Sequence, residues 1–373
     1  MKILIAPDSF KTALSSIKVA QSIKQGLDKE SNHEINIQQL SDGGEGALAV
    51  ILGNKKFRKE TTTVTNPIGI KTNASYAINT SDKSAFIEIA QTAGLELIPI
   101  NKQNPLLTTT YGVGELILDA YKKGIRNFSL SLGGSATNDG GAGLLSALGV
   151  EFMGIDTKLI TNSDLANISK IVTDNIKIKK CKFKILVDVA NPLLGPNGAS
   201  QVYAPQKGAK KEDLLILENN LSHFAKVVST STNTNFANLK GSGAAGGIAF
   251  GLKSFFDVEI VSGISEIMDF CDLEQQIINA DLVISGEGSL DSQSQNGKLL
   301  SGIANMCFKH TKPFIIVAGK VEDVEMKYFF GKGCVAIIPI QDRKQTLEES
   351  IKRTGEMLEN TGRTIAELVG FIK

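Results

Sequence analysis

The sequence predicts an α/β protein of two domains. One is built on a mainly parallel sheet and is discontinuous in sequence; the other is a mixed α/β domain inserted into it. Three observations lead there. Short apolar runs rich in β-branched residues alternate with amphipathic helical stretches along most of the chain, a pattern of parallel strands joined by helical crossovers. The length, 373 residues, exceeds what one ordinary hydrophobic core supports. One segment breaks the alternation, and the strands well beyond it resemble the opening of the chain again.

In chain order, "KILIA" (Lys2 to Ala6) reads as a buried strand. The following "SSIKVAQSIKQGL" places Ile17, Ala20, Ile23 and Leu27 at helical spacing. "INIQQL" is a second strand and leads through "SDGGEG" into helical "ALAVIL". "RKETTTVTNPIGIKTNASYAI" differs: Thr-rich alternating strands flank the turn signal "NPIG", which predicts an antiparallel hairpin. "FSLSLGG", "FKILVDV", "DLVISGEG" and "FIIVAG" are further short strands, several ending in glycine just before a helix. The change of character near residue 60 sets the expected boundary. Residues 1–60 with 275–373 form a Rossmann- or flavodoxin-like domain, and 61–274 form the inserted mixed domain.

Composition narrows the function. A hydrophobic content of 42%, a charged content of 21% and a net charge of +1 are those of a soluble globular protein. They lack the basic excess of a nucleic-acid surface. The apolar run of "MKILIAPDSF" stops at Ala6 and Pro7, short of a signal peptide, and no stretch reaches the length of a membrane span. Cys181, Cys271, Cys307 and Cys334 are scattered without a CxxC pair, as expected of buried reduced thiols in a cytoplasmic protein. His33, His223 and His310 form no metal-binding spacing.

The chemistry lies in loops at strand ends or helix starts that combine glycine with carboxylate, hydroxyl or lysine. They are "APDSFK", "SDGGEG", "GGSATNDGG", "GSGAAGG" and "SGEGSLDSQSQNGK". In α/β folds ligands bind beyond the carboxyl ends of strands. Glycine admits close backbone approach, and N–H groups at a helix start bind anions. Carboxylates beside such loops make sense if a divalent cation lies between them and a phosphate, or if one accepts a hydroxyl proton. The combination describes phosphoryl transfer. Each loop also has a plainer reading. Asp8 could cap a turn, Glu45 could complement a helix dipole, Asp139 could N-cap "GGAGLLSALG", and Asp188 could simply end a strand.

"GSGAAG" matches GxGxxG but lacks a strand before it, and "GGIAFGLKS" has Lys253 one position late for a P-loop. HRD and DFG are absent. Two alternatives to a kinase are an NAD-dependent dehydrogenase of a small hydroxy acid and a non-catalytic small-anion-binding protein.

The ordered blocks "ILIAPDSFK", "SDGGEG", "IEIAQTAGLELI", "NPLLTTTYGVGELILDA", "GGSATNDGGAGLLSALG", "NPLLGPNGAS", "APQKGA", "GSGAAGG" and "SGEGSLDSQSQNGK" resemble those of the bacterial type-I glycerate kinases from the first strand to near the C-terminus. The resemblance implies two α/β domains around a cleft and transfer of the ATP γ-phosphate to D-glycerate with Mg²⁺, in the cytoplasm. It favours 2-phosphoglycerate over 3-phosphoglycerate as product, and leaves a homodimer open. Ser289 departs from the family's "GEGRLD", where Arg is usual. Ala204 and Thr12 each replace a usual Gly.

Residue roles follow from what phosphoryl transfer needs, positioning and charge stabilisation. Lys11 and Lys298 are the expected phosphate-neutralising cations. Asp42, Glu45 and Asp291 are candidate metal or nucleotide-side ligands, with Asp42 and Asp291 expected on the metal. Asp8 or Asp188 accepts the hydroxyl proton. "GGSATNDGG" cradles the ligand, with Gly133 and Gly134 bringing N–H groups close, Ser135 and Thr137 offering hydroxyls, and Asn138 and Asp139 orienting a hydroxyl or metal-bound water. Lys207 is the candidate cation for the substrate carboxylate. Ser9, Gly43, Gly44, Asn191, Gly241, Gly243 and Glu287 complete the expected binding set.

Overall fold

The fold is a computed structural model that describes residues 1–10, 13–30, 33–41, 43–44, 46–291, 294, 299–322, 326–341 and 346–371. Lys11, Asp42, Glu45 and Lys298 lie outside the described residues. The chain opens with β1 (Lys2–Ile5), α1 (Ser16–Glu30) and β2 (Glu34–Ile37). There follow α2 (Ala47–Gly53), β3 (Arg58–Thr65), β4 (Lys71–Asn79), β5 (Ser84–Glu88), α3 (Ala90–Ala93), α4 (Tyr111–Lys122), β6 (Asn127–Ser131) and α5 (Ala142–Ala147). Next come β7 (Glu151–Met153), β8 (Lys170–Val172), β9 (Lys182–Leu186), α6 (Ala199–Tyr203), α7 (Asp213–Thr232), α8 (Ile248–Phe255) and β10 (Asp257–Val261). The chain closes with α9 (Gly263–Phe270), α10 (Leu273–Asn279), β11 (Leu282–Leu290), α11 (Leu299–Lys309), β12 (Phe314–Val321), α12 (Met326–Phe330), β13 (Cys334–Pro339) and α13 (Leu347–Phe371).

Contacts divide the chain into two compact units, Met1–Asp42 with Ile264–Lys373, and Gly43–Gly263. The first holds a five-stranded sheet in the order β13-β12-β11-β1-β2, parallel throughout. Counted within the unit, the order is 2-1-3-4-5, the flavodoxin-like winding, which reverses between β1 and β11. Three of the four β1 residues are buried, as expected of a strand covered on both faces. Ile3, Ile5, Ile284, Ile315 and Val317 of the sheet share a core with Val19, Ile23 and Leu27 of α1 and with Leu358 and Ile365 of α13.

The second unit holds a six-stranded sheet in the order β10-β9-β6-β5-β4-β3. Four of its strands are parallel, and β4 and β3 run antiparallel at one edge. These two are the hairpin expected around "NPIG". Asn66 Oδ1 accepts the N–H groups of Ile68 and Ile70, and Gly69 adopts φ 83°, so the turn is specified locally. Phe128 and Phe183 stack at 5.1 Å inside a core that includes Tyr76, Ile87, Leu116, Phe224 and Phe250. A two-stranded ribbon of β7 and β8, not foreseen in the sequence, completes the unit.

The sequence boundaries at 60 and 275 lie further along than the points where contacts change. The switch in strand style near 60 marks the start of the hairpin, whereas α2, before it, already packs on β4 and β5. All four cysteines are buried and free, as expected. No described helix is long and apolar enough to cross a membrane.

Candidate active site

In the first unit Asp8, Ser9 and Glu287 lie where the strand order reverses. Beyond β1 the chain continues alongside β11, with Ala6 N bonded to Ile284 O and Asp8 N to Gly286 O, each at 2.8 Å. The Ser285 hydroxyl donates to Ala6 O at 2.9 Å. This registers Asp8, half-buried, beside Gly286, one residue before the buried Glu287. Asp8 Oδ1 accepts the Ser9 N–H at 2.6 Å, so Ser9 orients the carboxylate through its backbone. Asp291 follows β11 directly, and its Oδ1 accepts the Ser294 N–H at 3.2 Å. Ser289 pairs in register with Lys320, a cation on the neighbouring strand that is ion-paired to Glu322.

The second unit presents the ends of four parallel strands. At the end of β5, Glu88 is 2% exposed, yet its carboxylate accepts Gly46 N at 3.0 Å and Leu48 N at 2.8 Å. It caps α2 and fixes the run-out of "SDGGEG". Sequence reading missed Glu88, although a lone carboxylate closing the apolar strand "SAFIE" was a usable signal. At the end of β6, the Ser131 hydroxyl donates to the carbonyls of Gly43 and Gly44. Gly43 adopts φ 82°, and a Cβ there would lie 2.7 Å from Gly263 Cα. At the end of β9, the exposed Asp188 accepts the Ser262 hydroxyl and the Gly263 N–H on Oδ1, both at 3.0 Å. The fold therefore brings Gly43 of "SDGGEG" and Asp188 together around Gly263.

"GGSATNDGG" separates into a rim and a foundation. Gly133 is half-buried and Gly134 exposed, with φ 69° at Gly134. The N–H groups of Gly133, Gly134 and Ser135 have no acceptor among the described residues. Successive N–H groups around a positive φ make an anion-binding concavity. Thr137, Asn138 and Asp139 are fully buried, which corrects their expected place against the ligand. Asn138 Oδ1 accepts from Asn162 Nδ2 at 3.1 Å and from the Ser200 hydroxyl at 3.4 Å. Asp139 accepts the Thr110 N–H and hydroxyl at 2.8 and 2.7 Å, Gly141 N at 3.1 Å and Gly143 N at 3.2 Å. Burial holds its carboxyl above the usual range against the pull of these donors. The N-cap of α5 is Gly141 rather than Asp139; Asp139 instead braces the start of the helix from two residues before it, through the N–H groups of Gly141 and Gly143, with Thr110 as an unforeseen partner.

Three more expectations change. Gly241 and Gly243 in "GSGAAGG" serve loop packing: a Cβ on Gly243 would meet Pro192 O at 2.2 Å, and one on Gly246 would meet Thr137 O at 2.0 Å. Gly241, at φ 85°, passes over Val187. Asn191 ties its own turn, donating to Asn197 O at 2.8 Å and accepting the Tyr203 hydroxyl at 2.6 Å. Lys207 is no open cation. It is 3% exposed and donates to Ser135 Oγ at 2.9 Å and to Thr137 O at 2.7 Å.

Burial pushes the Lys207 amine down to about 7, against an ordinary 10.5, with the Asp139 charge opposing the shift. Between these values the unfolded chain holds a proton that the native state has released, so stability rises with pH across the interval, and the cost is fully present below 7. We expect denaturant-unfolding free energy to climb more steeply from pH 7 to 10 in the wild type than in Lys207→Met, by up to about 5 kcal/mol over the full interval. Parallel slopes in the two proteins would contradict the buried amine.

Among the described residues no group of three His, Cys, Asp or Glu side chains could hold a metal. A magnesium ion bound through nucleotide phosphates needs only one or two carboxylates, and Asp291 at the end of β11 suits that smaller demand.

Residues 3–370 match the glycerate kinase family. The chain is 38% identical to the glycerate 2-kinase of Escherichia coli K12, with 98% of this chain and 97% of that protein covered. It is 35% identical to the glycerate kinase of Bacillus subtilis 168, covering 100% and 99%. A crystal structure from Salmonella typhimurium LT2, described as a glycerate kinase 2, superposes with a TM-score of 0.84 at 35% identity, covering 99% of this chain and 98% of that one. Carried end to end by the sequence and by the fold, these likenesses lead to one conclusion: the chain belongs to the glycerate kinase family.

Proposed function

We propose that the protein transfers the γ-phosphate of ATP to a hydroxyl of D-glycerate, with 2-phosphoglycerate favoured over 3-phosphoglycerate. The observation that carries this reading is the Asp188 carboxylate, exposed at a strand end and oriented by Ser262 and Gly263. A fixed, accessible carboxylate is what removal of a hydroxyl proton requires. Asp8, beside Gly286 at the reversal of the other sheet, is the second candidate for the same task.

In the reaction the glycerate oxygen bonds to the γ-phosphorus, the bond from that phosphorus to the bridging oxygen breaks, and ADP leaves. The hydroxyl proton passes to Asp188 or Asp8. Lys11 and Lys298 neutralise the phosphates, and Asp42 and Asp291 would hold Mg²⁺, which when bound screens the charge of the phosphate chain. Glu287, buried on β11, helps to shape the nucleotide side. The dehydrogenase reading loses its support, because residues 233–240 before "GSGAAG" form no strand and its glycines pack against neighbouring loops.

The test is ³¹P NMR of the purified protein with Mg-ATP and D-glycerate, with a control lacking glycerate. We expect a glycerate-dependent phosphomonoester signal whose coupling to a single methine proton marks the 2-isomer. Coupling to a methylene pair would overturn the regiochemistry, and absence of the signal in a folded, ATP-binding sample would overturn the kinase reading.

A further inference from the structure

The rim of the 133–141 loop and the cation beneath it define one ligand class. The loop is held from several sides. Ala136 N bonds to Ala93 O, the Thr108 hydroxyl to Ala136 O, Asn162 Nδ2 to Asn138 O, and Gly140 N to Gly246 O, all between 2.8 and 3.0 Å. Its donors are therefore fixed before any ligand arrives, which is the condition for strong anion recognition at little ordering cost. Those donors are the N–H groups of Gly133, Gly134 and Ser135, which have no acceptor among the described residues. To them is added the Ser135 hydroxyl. Lys207 Nζ donates to Ser135 Oγ from below, so the hydroxyl proton must point away from Lys207 and can itself be donated.

The charge selects among anions. Among the described residues Lys207 is the basic side chain that hydrogen-bonds to this loop, and it has almost no exposed surface. The buried Asp139 carboxylate lies within its electrostatic reach. A triphosphate carries several charges and calls for exposed cations or a metal at its oxygens. A carboxylate carries one charge on two oxygens, which matches neutral fixed donors backed by the screened Lys207 amine.

We infer that Gly133, Gly134 and Ser135 bind the carboxylate of the hydroxy-acid substrate, with Lys207 as a positioning residue that turns the Ser135 hydroxyl towards it. This rests on the glycerate kinase reading and names the part of the substrate each group meets. It also replaces direct contact between Lys207 and the carboxylate by contact through Ser135.

The test is steady-state kinetics of Ser135→Ala and Lys207→Met with each substrate varied in turn, alongside calorimetric titration of D-glycerate into the nucleotide-free protein. Loss of a hydrogen bond to a charged group should raise KM and Kd for D-glycerate roughly 10–100-fold. KM for ATP should stay within about twofold, since no nucleotide contact is touched. Adding Ser135→Ala to Lys207→Met should cost little more than Lys207→Met alone, because the two act through one hydroxyl. A rise in KM for ATP with KM for glycerate unchanged would move the loop to the nucleotide and overturn the inference, as would full additivity. If Lys207→Met fails to fold, Ser135→Ala decides alone. Failure of the kinase reading looks different: the wild type would show no turnover, while Ser135-dependent binding of D-glycerate by calorimetry would still support the carboxylate site.

Discussion

Asp188→Asn should lower kcat by about 10²–10⁴-fold and leave nucleotide affinity nearly unchanged if Asp188 is the proposed general base, the range expected for loss of such a group. The substitution keeps size and shape, and Asn can still accept from Ser262 Oγ and Gly263 N through its carbonyl oxygen. What it removes is proton affinity, so the effect falls on the chemical step and not on folding. Asp8→Asn is the companion experiment. Asp8 sits beside Gly286 at the reversal of its sheet and is the other carboxylate proposed for the base. The variant with the larger loss in kcat at saturating substrate identifies it. Unchanged kcat in both would remove the general-base step altogether. A change confined to KM for ATP would assign the residue to nucleotide binding.

Asp139→Ala should destabilise the protein by about 3–5 kcal/mol without the ligand being involved at all. The carboxylate is fully buried and satisfies four donors, from Thr110 twice and from Gly141 and Gly143. Removing it strands these groups where water cannot replace it, and each buried unsatisfied group costs roughly 1–3 kcal/mol, partly recovered by relaxation. The Thr110 hydroxyl also accepts the Leu144 N–H at 2.9 Å, so the loss spreads into the first turn of α5. Urea unfolding followed by circular dichroism measures the effect. An unchanged midpoint together with lost activity would return Asp139 to the ligand side, where the sequence first placed it.

These two aspartates show how far local reading reaches. Both follow a strand, and composition treats them alike. One is exposed at the end of β9, and the other is walled in beneath the loop after β6. The difference arises because Thr110, from the segment leading into α4, closes over Asp139, a contact 29 residues distant in the chain. Lys207 teaches the same lesson with the opposite sign of charge. "PQKG" reads as an open cation, yet its amine lies under a loop 72 residues earlier.

The α/β class, the hairpin and the candidate loops are legible in the sequence, because these depend on period, turn chemistry and strand-end position, all written within a few residues. The "NPIG" turn is made by Asn66 and Gly69 without outside help. What the polar residues of those loops face depends on packing between distant segments. Gly243 and Gly246 are small because Pro192 and Thr137 carbonyls occupy the space of their absent side chains, and Glu88 became a helix cap because α2 starts above it. Burial and hydrogen-bond partnership are properties of neighbours distant in sequence. They separate a carboxylate that supports a site from one that can work in it.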